Sequence, residues 1–201
     1  MKPKQFRTIF VCVLLLAATA GCQKQAAAPT SPQSVDKSSQ NSITNPSSPV
    51  YGWGKYTSAE GKFSAIFPKR PGEEQKTAQR QDGEVQSHLF ASETGAHIIY
   101  SVTYFDLPHG KDPKLLVTSI EQSIVAHQDG KLVSYRLFQV ESNPAAEFEF
   151  VGGCSTNFSG HVRLISVGQR IYAFDALFLA GHPPNPGERN AFFNSFSLLQ
   201  N

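Results

Sequence analysis

The chain has 201 residues, with 18 Lys and Arg against 16 Asp and Glu, a formal net charge of +2. Lys2, Lys4, Arg7, Lys24, Lys37 and Asp36 precede position 51, so the remainder carries 13 basic and 15 acidic residues, a net of −2. A nucleic-acid binder needs a basic face, and this balance excludes nucleic acid as a partner.

Lys2, Lys4 and Arg7 precede a short apolar run, Ile9 to Ala18, and small residues then lead into Ala20-Gly21-Cys22. That is the order of a secretory signal with a small-residue cleavage site. The run is too short for a membrane span, which takes about 20 residues, and a plain secretory peptide cut elsewhere is the alternative. With a cysteine directly after the small pair, residues 1–21 resemble a bacterial lipoprotein signal. Thr19 stands where that family usually has an aliphatic residue. The resemblance implies that Cys22 takes a diacylglycerol on its sulfur and becomes the mature N-terminus. The protein would then be lipid-anchored at the cell membrane or the outer membrane, facing outside the cytoplasm. Gln23 rather than Asp after the cysteine leaves the outer membrane open as a destination.

Residues 22–50 hold the lipidated cysteine and a run of Ala, Pro, Ser, Thr, Gln and Asn in which Val35 and Ile43 are the large apolar residues. Such a run cannot offset its ordering entropy by burial, and it reads as a flexible tether. Residues 51–201 are then one globular domain, long enough to bury a core. Trp53, in Tyr51-Gly52-Trp53-Gly54, either docks on that domain or stays out as a contact anchor. Docking is favoured, because Trp is highly buried on average.

Lys62 to Phe67 reads as a short strand closed by Pro68. Glu73 to Gln81 and Glu84 to Glu93 flank Asp82-Gly83, a hairpin-turn pair, and the polar first arm predicts an edge strand or a mobile hairpin. Ala96 to Phe105 alternates with Ile98, Tyr100, Val102 and Tyr104 on one face. Asp112-Pro113 opens a predicted long helix, whose stripe of Leu116, Val117, Ile120 and Ile124 needs a sheet beneath it. The faces offered by Tyr100, Val102 and Tyr104 and by Phe148 and Phe150 are expected to lie under it, with Ile120 near the middle.

Gly130 to Glu141 reads as a strand, Ser142-Asn143-Pro144 as a turn, and Ala146 to Phe150 as a strand whose Glu147 and Glu149 face water. Asn157 to Val167 and Arg170 to Leu179 flank Gly168-Gln169. That turn pairs Leu164 with Ala173 and Val162 with Asp175 on one face, and Ile165 with Tyr172 and Arg163 with Phe174 on the other. Gly181 to Gly187 reads as loop only, Glu188 to Asn194 as a short helix, and Phe196 to Leu199 closes the domain. This order predicts an α+β domain, an antiparallel sheet with helices packed on it.

Candidate chemistry is sparse. Cys12 leaves with the signal, so Cys154 alone stays in the folded part and reads as a structural cysteine rather than a reactive thiol. Asp106 and His109 lie three apart, but zinc takes three or four ligands. His88, His97, His127, His161 and His182 show no ligand spacing, so neither a metal nor a cofactor is expected. Asp175 stands inside an apolar strand. A buried carboxylate must be paired, hydrogen-bonded or protonated, and a structural ion pair or a wet edge position is favoured over an acid–base role. The serines lack a nucleophile-elbow setting, and neither a dinucleotide fingerprint nor a P-loop is present.

Five local patterns resemble the PsbP-like superfamily. They are Gly61-Lys62-Phe63 running into Phe67-Pro68, Tyr100 to Asp106, Pro144-Ala145-Ala146-Glu147-Phe148, Gly168-Gln169-Arg170-Ile171-Tyr172, and Phe193-Asn194-Ser195-Phe196-Ser197-Leu198. Asn143 stands where that family often has Gly. The resemblance implies an αβα sandwich with a central antiparallel sheet, one long helix and a short C-terminal helix packed on it, and it does not imply an enzyme. The expected role is a non-enzymatic interaction or assembly module, partnered by the membrane through Cys22 and by an envelope protein or complex. Trp53 and Asp175 are its candidate contact residues. The alternative is an exported carrier or sensor for a small apolar ligand. An enclosed apolar pocket would favour the carrier, and an exposed apolar patch the interaction module.

Overall fold

The computed structural model describes residues 50, 52–80, 83–107, 131–151 and 158–199. The elements, in order, are β1 (Gly54–Ser58), β2 (Phe63–Phe67), β3 (Gly72–Arg80), β4 (Gly83–Glu93), β5 (Ile99–Asp106), β6 (Lys131–Val140), β7 (Asn143–Val151), β8 (Phe158–Val167), β9 (Arg170–Leu179), helix α1 (Pro186–Asn194) and β10 (Ser197–Leu198). Seven strands form one antiparallel sheet in the order β3-β4-β5-β9-β8-β7-β6, and three form a smaller one, β1-β2-β10.

This overturns the expected α+β sandwich with a long helix. The described residues are mostly strand, with a single nine-residue helix and two antiparallel sheets. On one face of the large sheet, the layer expected to be helical is shared by a second sheet and α1. Residues 112–129 lie outside the described residues, and with them the expected long helix and the place of Ile120. Among the described residues, no helix is long and apolar enough to cross a membrane.

Alternation accounts for the strands. In β5 and β9 the even-numbered Tyr100, Val102, Tyr104, Tyr172, Phe174, Ala176 and Phe178 face the small sheet and α1, where they meet Phe63, Phe67 and Phe192. Ring pairs knit this layer, with Phe67 and Phe192 centroids 5.5 Å apart, Tyr100 and Phe192 5.1 Å, and Phe174 and Phe196 4.7 Å. Burying one such ring is worth roughly 1.5–3 kcal/mol. The opposite face carries a second cluster that includes Phe105, Phe148, Phe150, Val162, Leu164 and Ile171. Tyr100, Val102 and Tyr104 therefore lie on the other side of the sheet from Phe148 and Phe150, not on a shared face as expected. A side chain's face is inherited through each ladder it crosses, and three ladders separate β5 from β7.

The β8–β9 register follows the expectation: Leu164 pairs with Ala173, Val162 with Asp175, Ile165 with Tyr172 and Arg163 with Phe174. Gly168 takes φ +59° in that turn, a value glycine adopts without steric cost. Between β6 and β7 the turn is Glu141-Ser142, both at positive φ (48° and 69°), so Asn143 and Pro144 already belong to β7. Helix α1 begins two residues before the expected Glu188. Pro186 fits the first turn, and the Asn185 side chain accepts from the Gly187 N–H at 2.7 Å. The proline that reads as loop is the helix start.

The two edges of the large sheet differ. Strand β3 carries Glu73, Glu74 and Lys76, and Lys76 pairs with Glu74 at 3.1 Å; charges of this kind guard a sheet edge. Strand β6 exposes Leu132, Val133, Tyr135 and Leu137, the last two 37% and 68% accessible.

Candidate functional site

Strands β7 and β8 each place two polar residues on the face shared with α1. Their register sets Glu147 opposite Arg163 and Glu149 opposite His161, and Arg136 of β6 stands opposite Glu147. With Arg189, Asn190, Phe193 and Asn194 of α1 they line a cleft of about 290 Å³.

Every charge in the cleft has a partner. Arg163 is nearly buried; its Nε donates to Glu147 Oε2 at 2.8 Å, and its Nη1 donates to the Phe193 carbonyl at 2.6 Å. Arg136 donates to the other Glu147 oxygen at 3.1 Å. Burial alone would raise the Glu147 pKa, but Arg163 and Arg136 together outweigh it and hold the carboxyl below its ordinary value. His161 Nδ1 lies 2.9 Å from Glu149 Oε1, with Arg189 at 3.7 Å from the same oxygen. Burial lowers the His161 pKa despite the carboxylate beside it, which leaves the ring neutral at neutral pH. A neutral ring meets Glu149 by donating from Nδ1, so Nε2 is left as an acceptor. The lining contains neither hydroxyl nor thiol among its described residues. The arrangement holds polar groups, water or a charged ligand edge, and it provides no activated nucleophile.

Asp175 lies in β9, the middle strand of the sheet, between Ser101 of β5 and Val162 of β8. It is 5% accessible, and Ser101 Oγ donates to its Oδ2 at 3.1 Å. Neither an ion pair nor a wet edge position accounts for it among the described residues. Burial, opposed only in part by the serine, pushes its pKa up to about 7. Buried in the sheet centre, Asp175 cannot serve as a surface contact.

Trp53 is half-buried against the aromatic core, its ring 4.8 Å from that of Tyr100 and edge-on to it. It is docked on the domain. Cys22 and Cys154 lie outside the described residues, as do His109 and His127. Among the described residues, no three His, Cys, Asp or Glu side chains converge as a metal site would need.

Three of the sequence patterns meet at one end of the molecule. Tyr172 donates to the Gly61 carbonyl at 2.7 Å, and Arg170 forks onto Asp106 at 2.6 and 2.7 Å while reaching the Glu60 carbonyl at 3.0 Å. The Arg170 guanidinium also lies 4.6 Å above the Tyr104 ring. Its hydrogen bonds lower the Asp106 pKa. A Cβ on Gly61 would come within 2.7 Å of Tyr104, so the turn needs glycine there. These patterns hold the small sheet to the large one.

No motif in the sequence marks the cleft as a unit. Glu147 and Glu149 were legible as a wet strand face, but Arg163 and His161 join them only through the β7–β8 pairing. Alternation at two residues in both strands is the signal that could have found them.

No family model matches the chain, and no curated protein matches it in sequence. Among solved structures it is similar to the solution structure of the cyanobacterial PsbP, CyanoP, from Synechocystis sp. PCC 6803. That match has a TM-score of 0.47 and 9% identity, covering 74% of this chain and 94% of that one. It is also similar to PA94 of Pseudomonas aeruginosa, described as a protein of unknown function, with a TM-score of 0.35 and 9% identity over 65% of this chain and 85% of that one. Likenesses this loose are no basis for transferring a role.

Proposed function

We propose that this chain is a lipoprotein of the cell envelope, anchored by a lipid on Cys22, and that its domain is a non-enzymatic interaction or assembly module of the PsbP-like kind. The observation that carries the interaction reading is the exposed apolar edge of the large sheet at β6, where Leu137 is 68% and Val133 56% accessible. Exposed apolar groups clustered on one element mark contact sites. The cleft beside α1 is lined by arginines, glutamates and a histidine already paired with one another, which suits neither a small apolar ligand nor nucleophilic catalysis. Anchoring rests on the signal-like residues 1–21 and on the polar tether, long enough to hold the domain off the membrane.

Two measurements test the two halves. Cells fed a clickable fatty acid should label the wild-type chain and leave Cys22→Ser unlabelled; a wild-type chain without label removes the anchor. Envelope cross-linking with the tether intact, read by mass spectrometry, should give discrete protein adducts. A chain that stays free of adducts contradicts the module.

A further inference from the structure

The cleft beside α1 holds more hydrogen-bond donors than its own acceptors use. Glu147 is spent, with one oxygen on Arg136 and the other on Arg163. Arg163 is spent as well, on Glu147, the Phe193 carbonyl and Asn194. Arg136 is exposed and meets Glu147 through Nη2 alone, so among the described residues its Nε and Nη1 are unused. Arg189 donates Nε to Asn190, and its Nη1 stands 3.7 Å from Glu149 Oε1, too far for a hydrogen bond. His161 meets that same oxygen through Nδ1, which leaves Glu149 Oε2 and His161 Nε2 without a partner among the described residues. Arg136, Arg163 and Arg189 stand against Glu147 and Glu149. With His161 neutral, three positive charges against two negative ones leave one positive charge over.

We propose that this cleft binds a free amino acid with an acidic side chain, of the glutamate and aspartate class. Arg189 takes the α-carboxylate, Glu149 Oε2 and His161 Nε2 take the ammonium, and Arg136 takes the side-chain carboxylate. An ammonium group has three N–H donors and no acceptor, which suits two acceptors side by side. A carboxylate fits the planar fork of a guanidinium group. The α-carboxylate and the ammonium share one carbon of the ligand, much as Arg189 and His161 share one oxygen of Glu149. Arg136 lies farther along. Its partner Glu147 is two residues from Glu149 on β7, roughly 7 Å at the rise of a strand, a step for the acidic side chain to bridge. The one net negative charge of such a ligand cancels the surplus in the cleft. A dicarboxylate without an amine, or inorganic phosphate, would set negative charge against Glu149 Oε2 and bring no ammonium to it. A volume of about 290 Å³ is at the small end of ligand pockets, in keeping with a single amino acid. This binding is independent of contact through β6.

The test is equilibrium dialysis of the full chain in detergent, at neutral pH, against radiolabelled L-glutamate and L-aspartate with unlabelled competitors. One of the two acidic amino acids should bind at least about tenfold more tightly than L-glutamine, succinate or inorganic phosphate, a ratio that one charge-assisted hydrogen bond supplies. Arg136→Gln, a change at an exposed position that leaves the fold intact, should remove the preference for glutamate over glutamine and leave the retention of labelled L-glutamine unchanged. An Arg136 with a purely structural role would move both ligands together, and that result would overturn the side-chain assignment. Retention of neither acidic amino acid would overturn the whole proposal. So would succinate or phosphate competing as well as the amino acids, because the cleft would then be an anion site with no seat for an ammonium.

Discussion

Asp175 shows what one side chain costs when a sheet closes around it. Its carboxyl is buried with a single serine hydroxyl as partner, and its pKa rises from 3.8 to about 7. The folded state therefore holds the proton more tightly than the unfolded chain does. Stability from this group is fully present below pH 4 and is lost as pH rises through about 7. The loss is of the order of a few kcal/mol. Urea midpoints of the wild-type chain should thus be lower at pH 8 than at pH 5, and Asp175→Asn, which cannot ionise, should abolish most of that difference. A variant that keeps the wild-type pH slope would place the titrating group elsewhere.

At the scale of elements, Arg163 is the tie between β8, β7 and α1. It joins Glu147 to the Phe193 carbonyl from a nearly buried position, whereas Arg136 meets the same carboxylate from a side chain 61% accessible. Removing one partner of a buried pair costs roughly 3–5 kcal/mol, and removing an exposed one costs at most about 1 kcal/mol. Arg163→Ala should accordingly lower the unfolding free energy several times more than Arg136→Ala in urea titrations; equal losses would mean that the cleft network holds nothing together. The strands themselves were legible, because Tyr100 to Tyr104 alternates cleanly and Ile171 to Phe178 is a near-continuous apolar run after the Gly168-Gln169 turn. The small sheet was not: β1 is five residues of Gly, Lys, Tyr, Thr and Ser, too short and polar to declare a face. Pro186 was hidden by the prolines around it, since loop and first helical turn share the same φ. The relation between Tyr100 and Phe148 was hidden for another reason. Alternation fixes the faces within a strand and leaves open which faces coincide across three ladders.

Among the described residues of the whole molecule, the large sheet has a charged edge at β3 and an apolar, exposed edge at β6, and residues 1–21 resemble a lipoprotein leader. With the proposed lipid anchor on Cys22, the domain would be confined near a membrane and would meet neighbours at high effective concentration. The proposed mode of action is contact through β6. Its most direct measurement compares the envelope cross-linking pattern of the full wild-type chain with that of Leu137→Lys, a charge placed on the bare edge at a position exposed enough to leave the fold intact. The claim predicts that the protein adducts of the wild type fall by at least about tenfold in the variant at equal expression and equal fatty-acid labelling, a loss of about 1.4 kcal/mol or more in association. An unchanged adduct pattern in Leu137→Lys would contradict it.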